Sequence, residues 1–184
     1  MATIELLDAK RAQLLIVDLQ EKLLPHIAGH ESVLSQAVRI ARAACELELP
    51  ITISEQYPQG LGRTPSAVLV AAEGASRVEK MTFSVWRDEA AREKLLGLGR
   101  PQILMVGIEA HVCVQKTAFD LLEAQMTPFI LADAIGSRRP LDAQLARERL
   151  QAAGVVVSTV ESAIFEMLDR ADTELFKRIL PIVR

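Results

Sequence analysis

Several short stretches of the chain are apolar on both faces and rich in β-branched residues: Leu14–Val17, Ile51–Ile53, Ile103–Val106, Phe129–Leu131 and Val155–Val157. A strand with one face in water alternates apolar and polar positions. Continuous runs instead predict strands covered on both sides, the pattern of a parallel sheet. A further run, Ser76–Lys80, is half polar and suits the sheet edge. Between these runs the period changes to that of a helix, over Ser32–Leu49, Asp88–Leu98, Val112–Ala124 and Asp142–Ala153. In the first of them Val33, Ala37, Ile40, Ala41 and Ala44 form one apolar stripe, while Arg39, Arg42 and Glu46 face water. Pro50, Gly99-Arg100-Pro101 and Gly154 stand where helices must stop. Gln56–Thr64, with Pro58, Gly60 and Gly62, reads as a loop leaving the second strand. No repeat or linker interrupts this alternation, so one α/β domain over residues 1–184 is expected.

Composition narrows the function classes. The 184 residues suffice for one sizeable core, and 50% hydrophobic with 24% charged residues is the balance of a soluble globular chain. The net charge is -3 and the longest cationic run is Arg138-Arg139, which argues against a nucleic-acid partner. No apolar run approaches the ~18 residues of a membrane span. Glu5 and Asp8 break the N-terminal stretch, which therefore does not read as a signal peptide; a cytoplasmic protein with no membrane partner is expected. Two cysteines in unlike settings argue against a disulfide, and Cys45, beside Ala44 on the apolar side of a helix, reads as core.

In an open parallel sheet, ligands bind outside the carboxyl ends of the strands. Asp18 follows Leu14–Val17 directly, Lys80 ends the edge run, and Cys113 stands between Ile103–Gly107 and a good helix. Each alone has an ordinary explanation: a helix cap, a solvated lysine, a buried packing thiol. Together they are complementary. A helix N-terminus and an ammonium favour a thiolate, Asp18 can act as general base and then acid, and N–H groups at the helix start can hold an oxyanion. The Asp18 charge and apolar surroundings oppose the thiolate, so a Cys113–Asp18 pair sharing one proton near neutral pH is expected. Asp133 also reaches this rim, with the capping of a following turn as the simpler account.

Leu15-Ile16-Val17-Asp18-Leu19-Gln20, Glu79-Lys80-Met81-Thr82-Phe83-Ser84 and Val106-Gly107-Ile108-Glu109-Ala110-His111-Val112-Cys113-Val114 resemble, in order and spacing, the three signature blocks of the isochorismatase-like cysteine hydrolases. The resemblance runs from about Ala12 to Glu161. It implies a three-layer Rossmann-like fold, a six-stranded parallel sheet of order 3-2-1-4-5-6 with helices on both faces, and a catalytic triad of Asp18, Lys80 and Cys113. It also implies a cis peptide between Ile108 and Glu109 that helps form an oxyanion hole with Val112, and a homo-oligomer.

Metal-dependent nicotinamidases of that family carry an Asp-x-His pair after the second strand, where this chain has Ser54-Glu55-Gln56. The resemblance therefore implies a metal-free site without a cofactor, like that of the isochorismatase domain-containing proteins of animals. His26 and His30, four apart, have a spacing compatible with two metal ligands on one face but lack a third ligand at a matching offset. Gln56, Tyr57, Phe83, Trp86 and His111 lie close enough in sequence to the triad to line a substrate pocket. For Phe83 core packing competes, for Trp86 a subunit interface, and for His111 a plain helix-start position. The expected function is hydrolysis of an amide or related C–N bond in a small molecule through a Cys113 thioester. The alternative is a non-catalytic oligomerising module, which the apolar segment Leu175–Val183 would serve by burying itself against another subunit. Vinyl-ether hydrolysis of isochorismate rests on the family name alone and needs no thiolate.

Overall fold

The computed structural model describes residues 5–184, so the first four residues of the N-terminal stretch read above lie outside the described part. The apolar runs become strands β1 (Ala12–Val17), β2 (Ile51–Gln56), β4 (Gln102–Ile108), β5 (Thr127–Gly136) and β6 (Val156–Ser158), and the half-polar run becomes β3 (Ser76–Lys80). All pair in parallel in the order β3-β2-β1-β4-β5-β6, so β3 is an edge strand as its polarity predicts.

Alternate residues of each central strand feed opposite faces. Leu14, Ile16, Leu104 and Val106 pack beneath α1 (His30–Glu46), α3 (Ser66–Ala71), α7 (Val160–Glu166) and α8 (Glu174–Val183). Leu15, Val17, Ile103 and Met105 pack beneath α4 (Glu89–Gly97), α5 (Gln115–Glu123) and α6 (Pro140–Ala152). The stripe read in the first helix is the buried face of α1, with Ile40 at its centre. Full burial of a side chain of that size is worth roughly 1.5–3 kcal/mol.

Four elements differ from the sequence reading. The loop after the second strand begins one residue later, because Gln56 still pairs with Lys80, and it contains a single turn, α2 (Pro58–Leu61). The third reading helix starts as a π-helical turn over Ala110–Val114 before α5 begins. β5 extends past Leu131 to Gly136 through an irregularity opposite Met105–Gly107, which places Asp133 inside the strand. Leu175–Val183 lies against this chain's own α1: Ile179 is buried there, Leu175, Ile182 and Val183 are partly buried, and Arg178 pairs with Glu46 at 2.8 Å. Its apolar face is thus covered within the same chain. No helix of the described residues is long and apolar enough to cross a membrane.

Candidate active site

β1 leaves the sheet at Val17, and Asp18 turns with φ 49°. Aspartate tolerates this left-handed region better than most residues. The Asp18 N–H donates to the Ser54 carbonyl at 3.0 Å, which holds the turn against β2. On the other side β4 runs close by, with Val17 opposite Gly107. Gly107 has φ 126°, and a Cβ there would collide with the main chain of Val17, so no other residue lets the two strands approach this way. The Ile108–Glu109 bond that follows is cis, as the resemblance implies, and the π-helical turn then presents Cys113. Thr117 ties that turn down: its hydroxyl donates to the Cys113 carbonyl at 2.7 Å and accepts from the Val85 N–H at 2.9 Å.

These elements bring Asp18, Lys80 and Cys113 together at the carboxyl rim. Asp18 and Lys80 are fully buried, with Nζ 2.7 Å from Oδ2. The other carboxylate oxygen, Oδ1, accepts the Ser54 hydroxyl at 2.7 Å. Lys80 Nζ also reaches Gln56 Oε1 at 2.7 Å, the Thr82 carbonyl at 3.1 Å and the Phe83 carbonyl at 3.3 Å. An ammonium has three protons. These acceptors occupy them all, so Lys80 is a fixed charge held on Asp18 rather than a donor to the sulfur.

Burial pushes the Asp18 carboxyl up; the charge and hydrogen bond of Lys80, then the Ser54 hydroxyl and the Cys113 thiol, offset this only in part. A carboxyl moved towards neutrality is a stronger base than one in water. Cys113 is 7% exposed, and its thiol is pushed up to about 12 by burial first and the Asp18 charge second, against the pull of Lys80. The resting proton therefore sits on the sulfur at neutral pH. Burial raises Asp18 as well, and a hydrogen bond joins the two groups, the pair over which one proton is expected from sequence to be shared.

Among the residues read as pocket lining, Gln56 joins this network through its side chain, anchoring Lys80 while its Nε2 donates to the Met81 carbonyl at 3.0 Å. Phe83 contributes its carbonyl; its half-exposed ring lies under the Lys116 ammonium, 5.1 Å away, and faces a separate cavity of about 440 Å³. Trp86 faces a cavity of about 470 Å³ lined by Arg87, Arg92 and Asp120. His111 points to the β5 side, with Nδ1 2.9 Å from Ser137 Oγ, and lines a cavity of about 540 Å³ with Arg138, Arg139 and Asp142. The triad residues line none of these three cavities. Tyr57 is 47% exposed and lays its ring across Gly60.

Further readings are corrected. The Val112 N–H is taken by the Glu109 carbonyl at 3.0 Å and is not a free oxyanion donor. Glu109 accepts from the Arg138 N–H at 3.0 Å and its Nε at 3.1 Å, which fastens the cis segment to the loop after β5. Cys45 is exposed, with its thiol 3.4 Å from the Ala71 carbonyl, and is not core. Asp133 accepts from the Val160 N–H at 2.9 Å, holding the first turn of α7, whose N-cap is Thr159, rather than a turn after β5. His26 closes a short 3₁₀ turn while His30 opens α1, with extended Ile27 and left-handed Gly29 between them, so their spacing does not put them on one helical face. Among the described residues no three or more His, Cys, Asp or Glu side chains are grouped to hold a metal ion.

Sequence reasoning missed Ser54, Thr117 and Gln20. Gln20 is fully buried and clamps the loop after β2: it accepts from the Gln56 N–H at 2.8 Å and donates to the Gln56 and Gly62 carbonyls at 3.0 and 2.7 Å. The available signal for Ser54 was the polar face Thr52, Ser54, Gln56 opposite Ile51 and Ile53 of the same strand.

The isochorismatase domain model matches residues 12–162. Isochorismatase domain-containing protein 2 of Danio rerio is 38% identical over 180 residues, covering 97% of this chain and 90% of that protein. Among solved structures, the MAR1 ribonuclease from Caenorhabditis elegans superposes with a TM-score of 0.92 at 30% identity, over 97% of this chain and 92% of that one. YcaC from Pseudomonas aeruginosa, solved with hexane-2,5-diol and covalent acrylamide, superposes at 0.93 with 23% identity over 99% and 93%, a likeness of fold. The matched segment opens on β1 and closes inside α7, taking in every strand of the sheet and all three sequence blocks on its rim: this chain belongs to the isochorismatase family.

Proposed function

We propose that the chain is a cysteine hydrolase cleaving an amide, or a related acyl C–N bond, of a small molecule through a thioester on Cys113. The isochorismatase-family fold supports a hydrolase role. The observation that carries the finer reading is the buried Asp18 carboxylate, held by Lys80 and Ser54 beside a thiol that keeps its proton at rest. A non-catalytic module would have no use for a buried charge pair, which is costly to desolvate.

The steps follow from those positions. As the sulfur attacks the substrate carbonyl carbon, Asp18 takes the thiol proton. In this reading the oxyanion forms beside the Ile108–Glu109 segment, with the Cys113 N–H as its donor. Collapse breaks the C–N bond, and Asp18 passes the proton to the leaving amine. Water then attacks the thioester and gives a proton to Asp18, which returns it to the sulfur as the acid leaves. Lys80 keeps Asp18 anionic and oriented between these transfers. A phosphodiester substrate, which the name of the C. elegans relative would suggest, is less suited to a chain of net charge -3. We also propose self-association, supported by exposed large apolar side chains at Val70, Met81, Phe83, Leu141 and Leu145.

Amine release from a panel of small amides by wild type, Cys113→Ala and Asp18→Asn tests the reading. Turnover of at least one amide is expected, with both variants slowed by about 10³-fold or more. Full turnover by Cys113→Ala overturns the mechanism, and no turnover of any amide by folded wild type favours the binding module.

A further inference from the structure

We propose that Ser54 is a positioning residue for Asp18: its hydroxyl holds the carboxylate as an anion and aims its remaining lone pairs at the Cys113 thiol. The inference rests on the reading of Asp18 as the base and extends it to the group that sets when that base is available.

Ser54 grips Asp18 twice. Its carbonyl accepts the Asp18 N–H at 3.0 Å and its hydroxyl donates to Oδ1 at 2.7 Å, both out of water. Lys80 holds Oδ2 at 2.7 Å. With one donor on each oxygen the carboxylate cannot rotate about its last bond, so the direction of its free lone pairs is fixed by two elements, β2 and β3. The charged and titratable groups around it are Lys80 at the end of β3 and Cys113 on the turn after β4, with Glu109 adding negative charge on the Cys113 side. Lys80 has other acceptors in Gln56 and two carbonyls, whereas the Ser54 hydroxyl has Asp18 alone among the described residues. A hydroxyl donating to a carboxylate is a charge-assisted bond that is lost or reversed once the carboxyl is protonated. Ser54 therefore lowers the pH at which Asp18 becomes a competent base, against the effect of burial.

The test needs no identified substrate. In a Cys45→Ser background, which removes the exposed thiol, the rate of Cys113 alkylation by iodoacetamide is followed against pH for wild type, Ser54→Ala, Ser54→Thr and Ser54→Val. The last two have the same shape and differ in the hydroxyl. The wild-type rate is expected to fall on acidification as Asp18 takes up a proton, and Asp18→Asn is expected to lose that limb. Ser54→Ala and Ser54→Val should move the limb up by about one pH unit, with Ser54→Thr restoring it. An unmoved limb, or a uniform rate loss shared by Thr and Val variants, means packing alone and overturns the inference while leaving Asp18 as base. A wild-type profile without the limb, matched by Asp18→Asn, overturns the base assignment itself and this inference with it.

Discussion

At the scale of single residues, a carboxylate is tolerated in a dry interior only where other groups replace its water. Asp18 has an ammonium on one oxygen and a hydroxyl on the other, and its neighbour Cys113 stays neutral. Replacing Lys80 by Met removes the cation and leaves the carboxylate, a change expected to cost about 3–5 kcal/mol at neutral pH. The pH dependence separates this from lost packing. Without Lys80 the folded-state pKa of Asp18 rises further above its unfolded value of ~3.9, so stability is full below that value and is lost as pH rises through the folded one. Thermal melts of Lys80→Met should fall more steeply than those of wild type as the pH rises above the ordinary carboxylate value of ~3.9. Parallel slopes would show that Asp18 does not depend on Lys80. The same sign governs Cys113: its raised pKa, about 12 against an ordinary ~8.5, contributes stability that is lost as pH climbs between those values. Cys113→Ala should flatten the alkaline fall in melting temperature, and an unchanged fall would place the thiol in a wetter setting than the fold gives it.

At the scale of elements, the sheet was legible because buried parallel strands leave continuous apolar runs, and Asp88 marked the start of α4, where its carboxylate accepts the Ala91 N–H at 3.0 Å. The short helices were not legible. α3 buries only Val68 and Ala71, too few positions to display a helical period. β5 escaped in part because Ala132 and Asp133 interrupt its apolar pattern where the strand is irregular. The rim depends on one close approach, that of Gly107 to Val17. Gly107→Ala is expected to destabilise by about 2 kcal/mol or more, since the obstructing atoms are backbone and the φ is unfavourable to any side chain. Chemical denaturation measures it, and a loss under about 0.5 kcal/mol would mean that the strands separate freely there.

At the scale of the whole molecule, the three blocks named from sequence converge because each ends a neighbouring strand, β3, β1 or β4, on the same rim, with β2 between the first two. Topology could be argued from a resemblance. What lay beyond the sequence was the hydrogen bonding, since Ser54 meets Asp18 and Gln56 meets Lys80 through strand register, and register is not written in either residue. The same holds for His111 and Trp86, near Cys113 and Lys80 in sequence yet turned to other cavities. Self-association is open to light scattering, which should give a mass well above the 20.2 kDa of one chain; a monomer at micromolar concentration would count against the exposed apolar side chains as an interface.

The claim that Cys113 carries the chemistry as a nucleophile is most directly tested by the intact mass of the protein, acid-quenched during incubation with small amides. Wild type is expected to gain the mass of one acyl group, mapped to Cys113, and Cys113→Ala to gain none. An adduct of the same size on Cys113→Ala, or amide turnover by wild type without any acyl adduct under conditions that slow deacylation, would contradict it.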